Sequence, residues 1–414
     1  MNVKMIQFLL VAALLVSVAQ ASWSAEKSDR FVQDRFAIGF WVDPPAKEIT
    51  NARYKEIADA NFTFVLGVFG PQNDKDIAKQ IALCQKYGLK AIVKGDFTKP
   101  ETLPEGPAVW GYYLGDEPGV GSIPGIKAQV DAVRKHRPGK LAYLNLLPNY
   151  ANGMQLGTPS YDDYIARYAR ETGFDVLCMD YYPQMTPTAD GRDGYCSNLE
   201  VMRKYSLEQH IPFWNFFNTM PFHPHHDPTE SHIRWQIYTS LAYGAKGVLY
   251  FCYWTPPSGP GEFYRGGGII SEAGVRGPHY EHAKRINAGL KNLGPTLMKL
   301  TSIKVIRIKP TDDPAKALEG APLKNLFRGG DYLIGIFKHA DGRRAVLINN
   351  YDPNYVCWPN VVEFDVPDKD VIEVDAADGK EKPVRDDSPY MKGIQIRLDA
   401  GEGRLFLLPS KSAK

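Results

Sequence analysis

Residues 62–94 read FTFVLGVFGPQNDKDIAKQIALCQKYGLKAIVK, and this stretch contains one complete strand-helix-strand unit. The apolar run Phe62–Phe69 predicts a buried strand, and Asp74–Tyr87 has the apolar spacing of an amphipathic helix, which Gly88 closes. The run Lys90–Lys94 predicts the next strand. This order favours parallel pairing of the two strands, with the helix covering one face of the sheet.

The same unit recurs on both sides of this stretch. Near-continuous apolar runs predict eight strands, at Phe36–Val42, Phe62–Phe69, Lys90–Lys94, Val109–Leu114, Leu141–Leu147, Val176–Tyr181, Phe213–Phe217 and Val248–Tyr253. Amphipathic segments predict helices after most of them, but the segment after the third strand is Pro-rich and too short for a full helix. Eight such units predict an α/β fold, a (β/α)8 TIM barrel over residues 35–299. A doubly wound sheet is the competing fold, and no glycine-rich turn follows the first strand to support it.

Beyond residue 300 the pattern changes to short β-rich runs separated by turn sequences such as Asp-Gly and Asn-Asn. Seven runs predict strands, at Ile303–Ile308, Tyr332–Phe337, Ala345–Ile348, Val361–Phe364, Val371–Val374, Ile394–Leu398 and Arg404–Leu408. We therefore predict a small C-terminal antiparallel β-sandwich over residues 300–410.

The N-terminal residues and the composition predict an exported globular protein. Lys4, the apolar run Phe8–Val18 and the Ala19-Gln-Ala21 triplet are typical of a signal peptide, which we place at residues 1–24. The rest of the chain has no apolar run long enough to span a membrane. A formal net charge of +2 over 414 residues gives no sign of nucleic-acid binding. We expect export to the periplasm or the medium, and the oligomeric state stays open.

Acidic, amide and aromatic residues follow the predicted barrel strands at their C-terminal ends, where barrel enzymes hold their active sites. Asp116 and Glu117 follow the fourth strand and Asp180 follows the sixth, which makes these three the candidate catalytic residues. The candidate substrate-binding residues are Trp41, Lys94, Asn145, Tyr181, Tyr182, Asn215, Asn218, Tyr253 and Trp254. Carboxyl groups that cleave glycosidic bonds, beside aromatic rings and amides that bind sugars, predict an oligo- or polysaccharide substrate. The run His223–His226 lacks the spacing of a metal site, so we predict no metal and no cofactor.

The segment Gly111-Tyr-Tyr-Leu-Gly-Asp-Glu-Pro118 resembles the end of strand four in the TIM-barrel glycoside hydrolases of clan A and in family 42 β-galactosidase-like proteins. Gly244–Trp254, with the preceding Arg234–Tyr238, resembles their eighth strand and the helix before it, and Arg285–Gly294 resembles their last barrel helix. The resemblance implies a glycoside hydrolase with Glu117 as its general acid/base.

The seventh strand departs from that family pattern. Retaining members of the clan carry a nucleophilic Glu there, whereas Phe213–Thr219 contains no carboxylate. One interpretation, which we prefer at this point, makes Asp180 the second carboxylate, acting as a nucleophile or a base according to its distance from Glu117. A second makes the protein an N-acetylhexosaminidase, because the Asp116-Glu117 pair resembles the pairs of family 20 and family 123 enzymes, in which the substrate's acetamide attacks. A third is a glycan-binding protein without hydrolytic activity.

The orientation of Asp180 separates the first two interpretations. If Asp180 points into the protein while Asp116 and Glu117 both face the pocket, substrate-assisted hydrolysis is favoured. Under either interpretation, Glu117 should have a raised pKa because the acid must hold its proton near neutral pH.

Overall fold

A computed structural model describes residues 29–183, 190–257, 266–384, 386 and 392–410, so the predicted signal peptide lies outside the described residues. Eight parallel strands come first: β1 (Ala37–Phe40), β2 (Phe64–Gly67), β3 (Lys90–Val93), β4 (Val109–Asp116), β5 (Leu141–Asn145), β6 (Leu177–Asp180), β7 (Phe213–Asn218) and β8 (Gly247–Phe251). The helices among and after them are α1 (Asn51–Asp59), α2 (Asp74–Lys86), α3 (Ile123–His136), α4 (Gly153–Leu156), α5 (Tyr161–Glu171), α6 (Arg192–Gln209), α7 (Glu230–Tyr243) and α8 (Pro278–Leu297).

The eight strands form two four-stranded parallel sheets, in the orders β2-β3-β4-β5 and β1-β8-β7-β6. The sheets meet at two edges. At one edge the backbone N–H of Leu146, just after β5, donates to the carbonyl of Cys178 in β6 at 2.9 Å. At the other the N–H of Thr63, just before β2, donates to the carbonyl of Ile38 in β1 at 2.9 Å. This arrangement fits a TIM barrel. Full closure of the barrel and its limits at residues 35–299 stay predictions.

Bulky side chains fill the space that the eight strands enclose. One buried apolar cluster takes members from every strand: Ala37, Phe64, Leu66, Ile92, Trp110, Leu141, Tyr143, Cys178, Trp214, Phe216 and Leu249. Trp110 of β4 stacks on Trp214 of β7 with ring centroids 5.5 Å apart, and Phe64 of β2 lies 5.5 Å from each. The interior is therefore packed rather than hollow, as in TIM barrels, and a substrate can reach only its rim.

Local sequence explains where the helices lie. The α2 helix begins after Asn73, whose side chain accepts a hydrogen bond from the N–H of Asp76 at 3.1 Å, and it is followed by Gly88 with a φ of +70°. Residues 94–108 contain only a short 3-10 turn at Pro100–Thr102. This agrees with the Pro-rich sequence after the third strand. It leaves α2 without a neighbouring helix on the side that faces residues 94–108.

The C-terminal part is antiparallel. Its strands are β9 (Leu300–Ile308), β10 (Leu323–Asn325), β11 (Tyr332–His339), β12 (Arg344–Asn350), β13 (Cys357–Phe364), β14 (Ile372–Val374), β15 (Glu381–Pro383), β16 (Ile394–Leu398) and β17 (Gly403–Leu408). They form a six-stranded sheet, β15-β14-β17-β12-β11-β9, and a three-stranded sheet, β10-β13-β16. One apolar cluster draws on both sheets, which is the packing of a sandwich.

The α7 helix joins the two parts. Trp235 of α7 packs edge-on against Tyr351 at 5.2 Å, and the Arg234 guanidinium donates to the carbonyl of Ala400 at 2.6 Å. Within the described ranges, no helix is long and apolar enough to cross a lipid bilayer.

Candidate active site

The end of β4 has an irregular backbone that presents Asp116 and Glu117. The register between β4 and β5 shifts between Tyr113 and Gly115, and such a bulge re-aims the side chains that follow it. Glu117 has a φ of +48°, in the left-handed region that costs energy for any residue with a Cβ atom. Its N–H donates to the carbonyl of Asn145 at 2.9 Å, which helps to hold this conformation. Strained backbone of this kind is concentrated at functional sites.

Three carboxyl groups gather around the side-chain amide of Asn145 at the end of β5. The amide Nδ2 donates to Asp116 Oδ1 at 3.1 Å and to Asp180 Oδ1 at 2.9 Å. The carboxyl groups of Asp180 and Glu117 hydrogen-bond to each other. Asp180 is 3% exposed, whereas Asp116 and Glu117 are both exposed. The sequence-predicted acids are thus adjacent, with Asp180 beneath the other two.

Burial sets the protonation of this cluster. It raises the pKa of Asp180 well above its ordinary value, and the neighbouring charge of Glu117 acts in the same direction. Partial desolvation also raises the pKa of Glu117, while the hydrogen bond with Asp180 opposes that rise. The pKa of Asp116 is raised by desolvation and held down by the Asn145 amide. Burial and the charge of Glu117 thus both favour the neutral form of Asp180, and the two groups titrate as a pair.

Tyrosines line the cluster. Burial raises the pKa of the Tyr182 and Tyr150 phenols, and the charge of Asp180 acts in the same direction. Tyr150 is 52% exposed and was missed in the sequence because it lies in the loop after β5, beyond the strand end. Asn145 Oδ1 is buried and has no hydrogen-bond partner among the described residues.

Aromatic residues extend this surface toward β1 and β2. Trp41 lies after β1, half-buried, with its ring 6.0 Å from Tyr113 and 5.5 Å from Phe216. Its outer neighbour is Phe69, at 5.0 Å, which is 42% exposed. Trp41 and Tyr182 also border one small apolar cluster with Phe222. The mouth therefore offers aromatic surface on two sides of the acids.

Two residues that the sequence predicted to bind substrate, Asn215 and Tyr253, are buried away from the mouth, which corrects that prediction. Asn215 is fully buried, and its amide donates to Tyr195 at 2.5 Å and to Ser240 at 2.9 Å, behind β7. Tyr253 is also fully buried and stacks on Phe40 at 4.4 Å. Both side chains fix helices to strands, so neither can touch a substrate in this structure.

Four other predicted residues have no described contact with the acids. Tyr181 packs between Tyr150 and Tyr195, and Trp254 lies beneath the Arg53 guanidinium at 5.0 Å; both rings are buried. Asn218 is fully buried, and its side-chain oxygen accepts from the N–H of Met220 at 3.3 Å. Lys94 is exposed after β3 and lines a separate groove. Of the predicted binding residues, the structure thus brings Asn145 and Tyr182 to the acids and Trp41 to the mouth.

The histidine run lies at the edge of the mouth. His225 is buried, with its ring 4.4 Å from Phe222 and 5.9 Å from Tyr182, while His223 is exposed. In the part of the chain that the structure describes, no group of three or more His, Cys, Asp or Glu residues could hold a metal ion.

Comparison with known proteins gives only remote structural likenesses. No protein-family model and no curated protein sequence matches the chain. Among solved structures, a β-galactosidase from the psychrophilic Marinomonas ef1 is 12% identical with a TM-score of 0.46, covering 62% of this chain and 60% of its own. A family 39 glycoside hydrolase from Bacteroides cellulosilyticus WH2 is 12% identical with a TM-score of 0.45. The match covers 92% of this chain and 81% of that enzyme. A β-galactosidase from Halorubrum lacusprofundi is 14% identical with a TM-score of 0.48, covering 63% and 59%.

These structural neighbours are glycoside hydrolases. The chain spans about three fifths of the length of the two β-galactosidases. At such identities and TM-scores, the likenesses assign neither a substrate nor a catalytic residue to this protein.

Proposed function

We propose that this protein is an exported glycoside hydrolase that cleaves the bond of an N-acetyl sugar, with the substrate's own acetamide as nucleophile. The supporting observation is the arrangement of the three acids. Asp116 and Glu117 are exposed side by side, while Asp180 is buried and hydrogen-bonded to Glu117. This is the orientation that the sequence argument tied to substrate-assisted hydrolysis.

The preferred alternative from the sequence, in which Asp180 is the second working carboxylate, fits this arrangement poorly. Retaining glycosidases separate their two carboxyl groups by about 5–5.5 Å, and inverting ones by about 6.5–9.5 Å, because the anomeric centre must lie between them. Two carboxyl groups that hydrogen-bond to each other leave no such space. A buried Asp180 also lacks a path to the anomeric carbon. Asp180 is better explained as the group that controls the proton of Glu117.

The proposed reaction has two steps. In the first, the acetamide carbonyl oxygen of the substrate bonds to the anomeric carbon while the glycosidic oxygen leaves with the proton of Glu117. Asp116 accepts a hydrogen bond from the acetamide N–H and stabilises the positive charge that develops on that group. In the second, Glu117 takes a proton from water, and the water oxygen bonds to the anomeric carbon as the acetamide is released. Protonated Asp180 donates to the Glu117 carboxylate between the steps.

Activity on paired substrates tests the proposal. We expect the wild type to cleave nitrophenyl N-acetylhexosaminides of one anomeric series and not the matching 2-hydroxy glycosides. We expect Glu117→Gln to lower kcat by about 10²–10⁴-fold because it removes the acid/base. Asp116→Asn should also lower kcat strongly. Asp131→Asn, which changes an exposed carboxylate on α3, is the matched control and should change nothing.

Asp180→Asn separates the two hydrolytic interpretations. An Asn side chain can still donate to Glu117 and accept from Asn145, so a positioning role predicts a loss of kcat within about tenfold. A loss as large as that of Glu117→Gln, with equal activity on 2-hydroxy glycosides, would instead make Asp180 the working second carboxylate. Binding of oligosaccharides without turnover of any substrate would favour the glycan-binding alternative. Export is tested separately, by N-terminal sequencing of the protein recovered outside the cytoplasm.

A further inference from the structure

We infer that the substrate is an extended oligosaccharide, and that its distal sugar units bind across Phe69 and in the groove beside α2. The inference rests on the proposed function, because it takes the cleaved bond to lie at Glu117. It adds a binding region that lies away from the acids and that sets a preference for chain length.

The groove occupies the place of the helix that is missing after β3. It is a cavity of about 950 Å³, within the size range of small-ligand sites, between α2 and the loop of residues 94–106. Its rim is polar, and the rim residues are Gln72, Asn73, Lys94, Asp96 and Lys99. Its floor is apolar and includes Ile77 and Ile81 of α2. Mixed polar and apolar walls of this kind suit sugar rings, which present hydroxyl edges and C–H faces.

Phe69 lies between the acids and this groove. Its ring is 5.0 Å from Trp41, and Trp41 is 6.0 Å from Tyr113, three residues before Asp116. On its other side the chain continues through Gly70 and Pro71 to Gln72 at the groove rim. Trp41 and Phe69 thus lie between Tyr113 of β4 and the chain segment that enters the groove.

A buried residue fixes the backbone at Phe69, whose side chain is exposed. Asp43, 1% exposed, accepts hydrogen bonds from the N–H groups of Phe69 at 2.8 Å and Gly70 at 2.9 Å. A loop that served only as a connection would not need its large apolar side chain fixed 42% exposed beside a second aromatic ring. A fixed, exposed aromatic face is a stacking surface for a pyranose ring.

Lys94 supplies the polar contact at the end of this path. It is exposed at the groove rim directly after β3. Its ammonium group has three donors available for hydroxyl oxygens. Because Asp96 and Lys99 share the rim, the groove carries charges of both signs, which favours a neutral sugar chain over a polyanion.

Chain-length dependence tests the inference, with β-1,4-linked N-acetylglucosamine oligomers of two to six units as the probe. We expect kcat/KM of the wild type to rise at least about tenfold from the shortest oligomer to the longest. Phe69→Ala should abolish most of that rise by lowering kcat/KM much more for the hexamer than for the dimer, and Lys94→Ala should have the same effect more weakly. Phe69→Trp should retain it. Phe327→Ala is the matched control, since Phe327 is 46% exposed in the C-terminal part.

Binding of the same oligomers to Glu117→Gln keeps the inference separate from the proposed function. If the wild type cleaves none of the oligomers, the proposed function fails for this sugar, yet affinity that grows with length and falls on Phe69→Ala still supports the groove. Affinity and kcat/KM that are independent of length would overturn the inference. So would a loss on Phe69→Ala that is equal for the dimer and the hexamer, because Phe69 would then belong to the cleavage site itself.

Discussion

Asp43 is a single residue through which the fold responds to pH. Its carboxylate is buried and accepts three hydrogen bonds, from the backbone of Phe69 and Gly70 and from Gln80 Nε2 at 2.9 Å. Burial outweighs these bonds and raises the pKa of Asp43 from 3.8 to about 6. Between these values the folded chain holds a proton that the unfolded chain has released. The contribution of Asp43 to the free energy of unfolding is therefore greatest below pH 4 and falls as the pH rises to about 6.

Asp43→Asn should remove this pH dependence. The Asn oxygen can still accept from the Phe69 and Gly70 N–H groups, and the buried Gln80 Oε1, which lacks a partner, can accept from its amide. Relative to the variant, we expect the wild type to lose up to about 3 kcal/mol of unfolding free energy between pH 4 and pH 7. Urea unfolding at several pH values measures the difference.

Asp131→Asn, on the exposed side of α3, is the control for loss of a carboxylate elsewhere. If the unfolding free energies of wild type and Asp43→Asn run parallel across this pH range, the Asp43 carboxyl does not titrate between pH 4 and 7 in the folded protein.

At the scale of elements, α5 holds the loop that follows Glu117. The Tyr164 hydroxyl donates to the Pro118 carbonyl at 2.9 Å, and the Tyr168 hydroxyl lies 3.0 Å from that oxygen and 2.8 Å from the carbonyl of Gly119. The two tyrosines are four residues apart and share a face of the helix. They fix the C-terminal side of Glu117, while the Asn145 carbonyl fixes its N–H.

We expect Tyr164→Phe and Tyr168→Phe each to destabilise the protein by about 1–2 kcal/mol and to lower kcat more than they raise KM. The physical reason is that Glu117 keeps its chemistry but loses its fixed backbone position. Steady-state kinetics across pH, with thermal unfolding, separates the two effects. Tyr332→Phe is the control, because its hydroxyl donates to the carbonyl of Phe327 at 3.1 Å in the C-terminal part, so only stability should change. Unchanged kcat in both α5 variants would contradict this role.

The strands also show what the sequence could and could not predict. Every barrel strand lies within, or within two residues of, its predicted run, because continuous apolar runs between turn signals mark buried parallel strands. Asp116, Glu117 and Asp180 meet because the C-terminal ends of parallel strands share one rim. The contribution of Asn145 follows from the same rule.

The alternation of side chains along a strand explains why Tyr181 and Asn215 do not face the mouth. Tyr181 and Tyr182 are adjacent, so both cannot face the mouth, and Asn215 and Asn218 are an odd number of residues apart. Applying this period to Asp180 would have assigned Tyr182 inward and Tyr181 outward. The bulge before Asp116 and the loop that carries Tyr150 are different, because their geometry depends on tertiary contacts that no local pattern reports.

At the scale of the whole molecule, Tyr351 connects the parallel and antiparallel parts. It is 1% exposed, its ring lies 4.0 Å from the Arg307 guanidinium and 5.2 Å from Trp235, and its hydroxyl is 3.1 Å from Cys196 Sγ. A single buried cluster contains residues of both parts, including Tyr238, Leu347 and Tyr351. The two parts should therefore unfold together.

We expect Tyr351→Ala to lower the unfolding free energy by about 3–5 kcal/mol, because it leaves a cavity at this junction. Calorimetry should still show one transition, at a lower temperature. Tyr351→Phe keeps the ring and should lose only about 1 kcal/mol. Two separate transitions in the wild type would show that the parts are independent, and a Tyr351→Ala variant as stable as wild type would show that the junction contributes little.

The pairing of β1 with β8 has a consequence for biosynthesis. Ala37 pairs with Gly247, so the edge of the first strand that faces β8 stays without its partner until the last barrel strand has left the ribosome. At a synthesis rate of about 5–20 residues per second, that wait is on the order of 10–40 s. Asp180 likewise emerges well after Asn145 and Glu117, the residues it must join. A nascent chain therefore exposes the β8-facing edge of β1 for that time, although the three acids have all emerged by residue 180.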